Sequence, residues 1–295
     1  MDLDTYIVKV FCMIDDAMKI LYQDQKLRAR GSEPILSDSE VITIETVGEY
    51  LGFDQDKQIF KYFRSHFSHF FPALRQIHRT TFVRQAANLW QAKEKVWQFI
   101  LDFIRHDPAL SIMDSFPIAA CYFARAKKCR RFRGEAAYGK DRLIKQTFYG
   151  FRLHLHLSWP GVITSFILAP ANVDEKEVVP ELAKRRPGLK LTDRNYWAPL
   201  LKAELKADSI LLEAAFKMAK FDPWPERSTL INHFRYRIET VFSQLTERFQ
   251  IKKVWAKDLW HFQSRLLRKV LSHTICFVLN QFQGNSPLQF AKLID

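Results

Sequence analysis

Three carboxylates stand on segments that predict rigid secondary structure. Asp114 and Asp193 each end a short apolar run typical of a β-strand. Glu239 lies within residues 232–249, whose apolar side chains recur at helical spacing and line one face. These apolar residues are Phe234, Ile238, Val241, Phe242, Leu245 and Phe249. Hard divalent cations need several oxygen ligands, and two-metal phosphoryl transfer needs those ligands on fixed elements. The set therefore predicts chemistry on nucleic-acid strands.

Each of these carboxylates also has an ordinary structural interpretation. Arg235 stands four residues before Glu239, so the two side chains could form a surface ion pair along one helix. An aspartate at the end of an apolar run is also a common turn former. The prediction of one shared site therefore depends on the order of the three residues and on their surroundings.

The composition excludes several classes of protein. The chain has 295 residues, of which 47% are hydrophobic and 25 are Phe, so it is not a disordered chain. It has no apolar run of about 18 residues and no basic segment at its start, which predicts a soluble, cytoplasmic protein without a membrane partner. Its four cysteines form no Cys-x-x-Cys pair of the kind used for zinc or redox chemistry.

The net charge of +13 is concentrated in two blocks. Residues 120–150 contain nine basic residues and two acidic ones, and residues 248–269 contain seven and one. Aromatic residues interrupt both blocks, as expected of a surface that follows a nucleic-acid backbone. A solvated basic face or contact with an anionic membrane is the alternative. The candidate DNA contacts are Lys127, Lys128, Arg130, Arg131, Arg235, Lys252, Lys253 and Lys257.

Residues 1–105 predict a helical region. Ser37-Asp-Ser-Glu40 has the form of a capping box before an apolar helical segment. Thr80 or Thr81 could cap a further helix that continues through Trp97. Short helices separated by turns suit a DNA-binding unit of the helix-turn-helix type, and they suit a plain helical bundle equally well.

Residues 106–250 predict a mixed sheet covered by helices. Four apolar residues from Phe151 to Leu157 alternate with Arg152, His154 and His156, which predicts a half-buried strand with a polar outer face. The two histidines could also bind a metal, although the polar face is favoured. A turn at Trp159-Pro-Gly161 completes a β-hairpin.

The hairpin is followed by a predicted helix, a strand and two long helices. A helix over residues 174–186 and a strand over 189–192 follow it, and long helices begin near residues 199 and 234. This order suits a site gathered at strand ends.

Four segments together carry a family resemblance. Three of them contain the carboxylates: Ser111-Ile-Met-Asp-Ser115, Leu191-Thr-Asp-Arg-Asn-Tyr196 and Ile238-Glu-Thr-Val-Phe-Ser-Gln-Leu245. The fourth is Trp255-Ala-Lys-Asp-Leu-Trp260, followed by a helical tail. In this order they resemble the DDE transposases of bacterial insertion sequences, close to insertion-sequence family 982. The similarity covers nearly the whole chain.

The resemblance implies an α+β fold with a ribonuclease-H-like catalytic domain over residues 106–250. A helical N-terminal region over 1–105 would precede it, and a basic helical tail over 251–295 would follow. Asp114, Asp193 and Glu239 would be the catalytic triad and would bind two Mg²⁺ or Mn²⁺ ions. The partners would be transposon terminal inverted repeats, target DNA and further copies of the chain, associated with the bacterial nucleoid.

Two other functions remain open at this level. A nuclease of the same fold would hydrolyse DNA without joining strands. A non-catalytic regulator would bind DNA through residues 1–105 and use the carboxylates only structurally. Metal-dependent nicking separates the regulator from the two enzymes, and the joining of a 3′ end to target DNA separates transposase from nuclease.

Overall fold

The computed structural model divides the chain into two compact units. The first consists of Met1–Ile104 with Leu245–Asp295, and the second of Arg105–Gln244. The structure describes residues 1–23, 25, 27–28, 30–141, 144–216 and 218–294. Arg142, which counts toward the first basic block, lies outside the described residues.

Five helices form the N-terminal part of the first unit. They are α1 (Leu3–Tyr22), α2 (Asp38–Tyr50), α3 (Asp56–His66), α4 (Arg79–Asn88) and α5 (Trp90–Leu101). The predicted capping box is confirmed at the start of α2, where Ser37 and Glu40 bond each other's backbone N–H groups. Almost every residue of α2 is buried, so it is the central helix of this part.

The last predicted helix of this region is wrong in two details. The residue that caps α4 is His78, whose ring accepts from the backbone N–H of Thr80, and neither threonine is the cap. The helix also does not run through Trp97, because a break at Leu89 separates α4 from α5. The apolar spacing continues across this break, which is why no sequence signal marks it.

The second unit is a six-stranded mixed sheet with helices. Its elements in chain order are β1 (Asp107–Tyr122), α6 (Phe123–Ala126), β2 (Ala137–Asp141), β3 (Gln146–Trp159), β4 (Val162–Pro170), α7 (Glu175–Leu182), β5 (Gly188–Thr192), α8 (Pro199–Lys206), β6 (Ile210–Ala214) and α9 (Pro225–Glu247). The strand order is β2-β3-β1-β5-β6, with β4 paired to β3. The mixed α and β content agrees with the predicted fold class. The β3–β4 hairpin is confirmed.

Strand β3 lies at the centre of this sheet. One of its edges pairs with β1, and its other edge pairs with β2 along its first part and with β4 along its second. The prediction of a polar outer face on β3 is wrong, since His154 is 0% and His156 is 1% exposed. Alternation in the sequence was a misleading signal, because both faces of the strand are covered.

Two strands and one helix length differ from the sequence prediction. Short strands β2 and β6 were not predicted, and β6 stands where a long helix was expected to continue from residue 199. Helix α8 ends after eight residues. Five-residue strands of mixed composition provide too few periods to be told from a helix or loop.

One more long helix, α10 (Leu259–Phe282), completes the first unit. It packs against α5, α2 and α4, and nearly all of its residues from Phe262 to Asn280 are buried. The C-terminal tail is therefore part of the same unit as the N-terminal helices. No helix in the described ranges is both long and apolar enough to cross a membrane.

Candidate active site

Strand pairing brings two of the three predicted carboxylates together. Strands β1 and β5 are parallel, and their paired register ends with Met113 opposite Thr192. Asp114 follows Met113 within β1, and Asp193 follows Thr192 directly after the end of β5, so the two carboxylates lie close together. Gly188 lets the two strands approach, since a Cβ there would lie 2.4 Å from the carbonyl oxygen of Ala109.

Asp114 is a half-buried carboxylate held by two donors. Its Oδ1 accepts from the backbone N–H of Ser115 at 2.8 Å, and its Oδ2 accepts from Arg235 Nη2 at 2.6 Å. Burial raises the pKa of Asp114 to about 6, and the charge of Asp193 adds to that rise. Arg235 opposes the rise without cancelling it. Two aspartates therefore stand beside a single contacting guanidinium, that of Arg235.

Asp193 is oriented by the turn that follows β5. It caps a short 3₁₀ helix and accepts from both the backbone and the side-chain nitrogen of Asn195, the latter at 2.9 Å. This is the Asx turn expected of an aspartate at the end of a strand. Asp193 therefore forms this turn and also lies close to Asp114.

Helix α9 carries the third predicted carboxylate. The helix packs on the sheet through Phe242, whose ring lies 4.8 Å from that of Phe116, and through Phe234, 5.2 Å from Trp159. The predicted apolar face is confirmed, with Ile238 and Val241 fully buried. This packing brings Arg235 to Asp114.

Glu239 lies one helical turn after Arg235 and is exposed. Within the described residues it makes no hydrogen bond or ion pair. The alternative of an Arg235–Glu239 surface pair is not seen, because Arg235 is paired with Asp114. No three His, Cys, Asp or Glu side chains in the described part of the chain are grouped closely enough to hold a metal ion.

A fourth carboxylate, Glu175, belongs to the same region and was not predicted. Its Oε1 accepts from Ser115 Oγ at 2.9 Å and from Arg152 Nη1 at 3.2 Å. Because Ser115 is the residue that donates to Asp114, this network links the first turn of α7 to the aspartate pair. An acidic residue in the first turn of a helix is ordinarily explained by the helix dipole, so the sequence alone did not mark Glu175 as a site residue.

Tyr196 lies beneath these carboxylates and is 1% exposed. Burial raises its pKa well above 10, and the charges of Asp114, Glu175 and Asp193 raise it further. The phenol therefore remains protonated and can act only as a neutral donor toward the acidic cluster. No sequence pattern distinguished this tyrosine from a core residue.

A polar cavity of about 390 Å³ opens beside Glu175. Four cationic side chains, Lys140, Arg152, Lys176 and Arg194, line it together with the indole of Trp197. Such a lining combines charge for phosphate oxygens with a flat surface for a base.

The donor chemistry of the aspartate pair fits a divalent cation. Both side chains offer hard oxygen ligands, which Mg²⁺ and Mn²⁺ prefer. Asp114 has a raised pKa although Arg235 already contacts it, so additional positive charge would be stabilised there. The fit rests on Asp114 and Asp193.

The first basic block is largely exposed. Lys127, Lys128 and Arg130 are open to solvent after α6, and the aromatic rings of Tyr122 and Phe123 are exposed beside them. Arg131 differs, because its guanidinium donates to the carbonyl of Ala120 and so anchors the block to the end of β1. Asp114 lies six residues earlier on that strand, roughly 20 Å away at about 3.3 Å per residue.

The second basic block is mostly not a surface feature. Arg265, Arg268 and Lys269 are paired with carboxylates inside the first unit. The prediction that this whole block forms a phosphate-binding surface is therefore wrong for these three. Lys252, Lys253 and Lys257 remain exposed, and Lys253 lies 3.3 Å from Asp54.

Comparison with known proteins gives one match. Residues 106–257 match the family described as the transposase DDE domain, which is more than half of the chain. No curated protein and no solved structure matches the chain.

Proposed function

The chain belongs to the transposase DDE domain family, and from that premise we propose that it catalyses metal-dependent cleavage and strand transfer of transposon-end DNA. The observation that carries the proposal is that Asp114 and Asp193 each follow the last paired residue of two adjacent parallel strands, with Arg235 in contact with Asp114. A ribonuclease-H-like assignment of the sheet and membership of insertion-sequence family 982 are part of the same proposal.

We assign the catalytic and metal-binding roles to Asp114, Asp193 and Glu239. The two aspartates would hold divalent cations, and Glu239 would add an oxygen ligand from α9. Two bound Mg²⁺ or Mn²⁺ ions would supply an activated nucleophile and neutralise the leaving oxygen. The exposure of Glu239 supports this role, because the carboxylate is not committed to another partner among the described residues.

The protein's own residues position the carboxylate of Asp114 and offset its charge. Ser115 donates its backbone N–H to Asp114, and the Glu175–Arg152 pair holds the hydroxyl of Ser115. Arg235 stabilises Asp114 in its ionised form, and its guanidinium would also serve as a donor to a phosphate oxygen of bound DNA. These residues thereby fix the geometry in which in-line displacement at a phosphodiester proceeds.

DNA would follow the exposed cations. Lys127, Lys128 and Arg130 would contact phosphates next to exposed aromatic rings, and Lys252, Lys253 and Lys257 would do so on the first unit. The substrates would be terminal inverted repeats and target DNA, held by an oligomer of this chain.

The decisive experiment incubates the full-length protein with DNA bearing the terminal repeats, with Mg²⁺, Mn²⁺ or chelator. We expect nicking at the repeat end only with metal, followed by joining of the free 3′ end to a second duplex. Nicking without joining would identify a nuclease. DNA binding without any nicking would identify a regulator and would contradict the proposal.

Matched glutamate variants test the third ligand. Glu239→Gln should abolish nicking, whereas Glu247→Gln, at the exposed end of the same helix, should leave it unchanged. Glu175→Gln tests the alternative that Glu175 is the third ligand. Loss of nicking in Glu175→Gln with full nicking in Glu239→Gln, both correctly folded, would transfer the ligand role to Glu175.

A further inference from the structure

A second cavity lies at the end of the sheet where β1 and β5 begin, and none of the predicted carboxylates lines it. It has a volume of about 330 Å³ and is bounded by the start of β1, the end of β3 and the segment between α7 and β5. Its lining includes His106, His156, Thr164, Arg185 and Arg186. All of these residues belong to the second unit.

Two cations in this region have no carboxylate partner: Arg186, which lines the cavity and is partly exposed, and Lys190, which is buried beside the lining. Lys190 is 0% exposed, and its Nζ donates to the carbonyl of Pro187, which lines the cavity. Arg186 donates to the carbonyls of Lys184 and Thr164. Within the described residues neither cation forms an ion pair. An ionised group removed from water without a counter-ion is costly, so the cavity favours an anion.

The charge balance around the cavity is consistently positive. Lys190 and Arg186 both act on His156, and Arg186 also acts on Lys190. The acid that acts on Lys190 is Asp107, which is exposed to solvent. A cation would be repelled from such a site, although two imidazoles line it.

Both imidazoles present an unpartnered nitrogen. His156 Nε2 and His106 Nδ1 are buried and have no hydrogen-bond partner within the described residues. Thr164 Oγ1 donates to the carbonyl of His156 at 3.3 Å and lies 2.7 Å from His156 Nδ1. In the imidazolium form both ring nitrogens carry a proton, so Nε2 is then a donor that faces no acceptor among the described residues.

We propose that this cavity is a binding site for a small tetrahedral oxyanion, a sulfate or a phosphoryl group, held by Arg186 and protonated His156 and attracted by the charge of the buried Lys190 beside the lining. The volume is at the lower end of small-molecule sites, so a phosphate with a small organic group fits it. The site is separate from the proposed catalytic carboxylates and does not depend on the transposase assignment.

Anion binding at this site takes up protons. Burial and the neighbouring cations Lys190 and Arg186 lower the pKa of His156 in the empty site, and burial lowers the pKa of Lys190 to about 8. A bound anion raises the pKa of His156 and the pKa of Lys190. Binding should therefore strengthen as the pH falls from about 8.5 to about 6.5, by up to about tenfold per pH unit for each proton taken up.

Titration calorimetry of the full-length protein with sodium sulfate tests the site, with chloride keeping the ionic strength constant. Sulfate remains a dianion over this pH range, so any pH dependence belongs to the protein. We expect saturable binding of one ion that tightens toward the acidic end of the range. Inorganic phosphate should compete with it. The absence of saturable sulfate binding to the wild type would overturn the proposal.

Two variants locate the ion, and one serves as control. Lys190→Met and Arg186→Gln should each weaken sulfate binding at least tenfold, whereas Lys206→Met, an exposed lysine beyond the cavity, should not. Lys190→Met should also raise the melting temperature in sulfate-free buffer, because it removes an uncompensated buried charge. Unchanged affinity in both cavity variants would refute the assignment.

A last measurement separates a small anion from a DNA phosphate. The salt dependence of DNA binding should be the same in Lys190→Met as in the wild type. If sulfate fails to bind and Lys190→Met flattens that dependence, the cavity accommodates the DNA backbone and the small-anion site is excluded.

Discussion

Each unit of this protein contains a cluster of carboxylates, buried among cations in the first unit and partly exposed with fewer cations in the second. In the first unit, Glu45, Glu49 and Asp56 surround Arg268, which is 1% exposed. Lys93, Lys269 and Arg265 complete that network. In the second unit, Asp114 and Asp193 are adjacent, and Arg235 is the cation in contact with Asp114.

Two aspartates show the difference directly. Burial alone would raise the pKa of Asp56, but Arg268 and Arg265 outweigh it and hold that pKa below its ordinary value. Burial raises the pKa of Asp114 to about 6, and Arg235 does not compensate for burial and for Asp193. The first network has four cations for three carboxylates and fixes a helical core, whereas the second has two aspartates and one contacting cation and retains affinity for further positive charge.

The largest expected effect separates catalysis from folding. Asp193→Asn should reduce metal-dependent nicking by about 10⁴-fold, a decrease typical of a residue acting as part of a catalytic unit. Its far-ultraviolet circular dichroism should match that of the wild type. Nicking assays under single-turnover conditions provide the measurement. A variant that nicks at the wild-type rate would place Asp193 with the structural carboxylates.

The second prediction concerns the buried cluster around Arg268 in the first unit. Asp56→Asn leaves Arg268 and Arg265 without one of their buried partners, which should lower the free energy of unfolding by about 3–5 kcal/mol. Because the folded pKa is depressed, the stability that ionised Asp56 contributes is present above 3.8 and is lost as the pH falls below that value.

Urea titrations at neutral pH measure the Asp56→Asn effect. Lys57→Gln, an exposed neighbour, is the control and should change stability by less than about 0.5 kcal/mol. Equal stability of Asp56→Asn and the wild type would mean that the cluster does not hold the first unit together.

The third prediction is that replacing Asp114 increases the stability of the protein, whereas replacing Asp56 decreases it. The folded pKa of Asp114 is raised from 3.8 to about 6, so the stability from its protonated form is present below 3.8 and is lost as the pH rises through about 6. Asp114→Asn avoids that loss. It should be more stable than the wild type near pH ~8 by up to about 3 kcal/mol and equally stable near pH ~3.5.

Thermal denaturation in buffers of different pH checks this crossover. Mg²⁺ should raise the melting temperature of the wild type and not that of Asp114→Asn, because a ligand that binds only the folded state stabilises it. A lower stability of Asp114→Asn at alkaline pH would show that the Arg235 contact dominates the site.

The smallest effect concerns surface charge. Replacing Lys127, Lys128 and Arg130 with Ala should weaken DNA binding and flatten the log–log salt dependence by about 0.9 for each phosphate that is no longer neutralised. The same holds for Lys252, Lys253 and Lys257. Affinity measured against salt concentration checks both triple variants. Unchanged slopes in both would assign DNA binding to the helices of residues 1–104.

Much of the fold followed from local patterns in the sequence. The capping box at Ser37, the β3–β4 hairpin and the apolar face of α9 are all recorded in residues a few positions apart. Such features depend on backbone geometry and on side-chain periodicity, which a sequence displays directly. The order of the three carboxylates along the chain likewise indicated the transposase family.

Tertiary structure alone decided which carboxylates have enough cations beside them to lower their pKa. Asp114 and Asp56 are the same residue type, yet one has a raised and the other a lowered pKa, because cations distant in sequence approach only Asp56 in sufficient number. The same reason separates buried Arg268 from exposed Lys257 within one basic block, and buried His156 from the exposed face its strand pattern predicted. Composition counts charges along the chain, whereas burial and long-range pairing determine their energies.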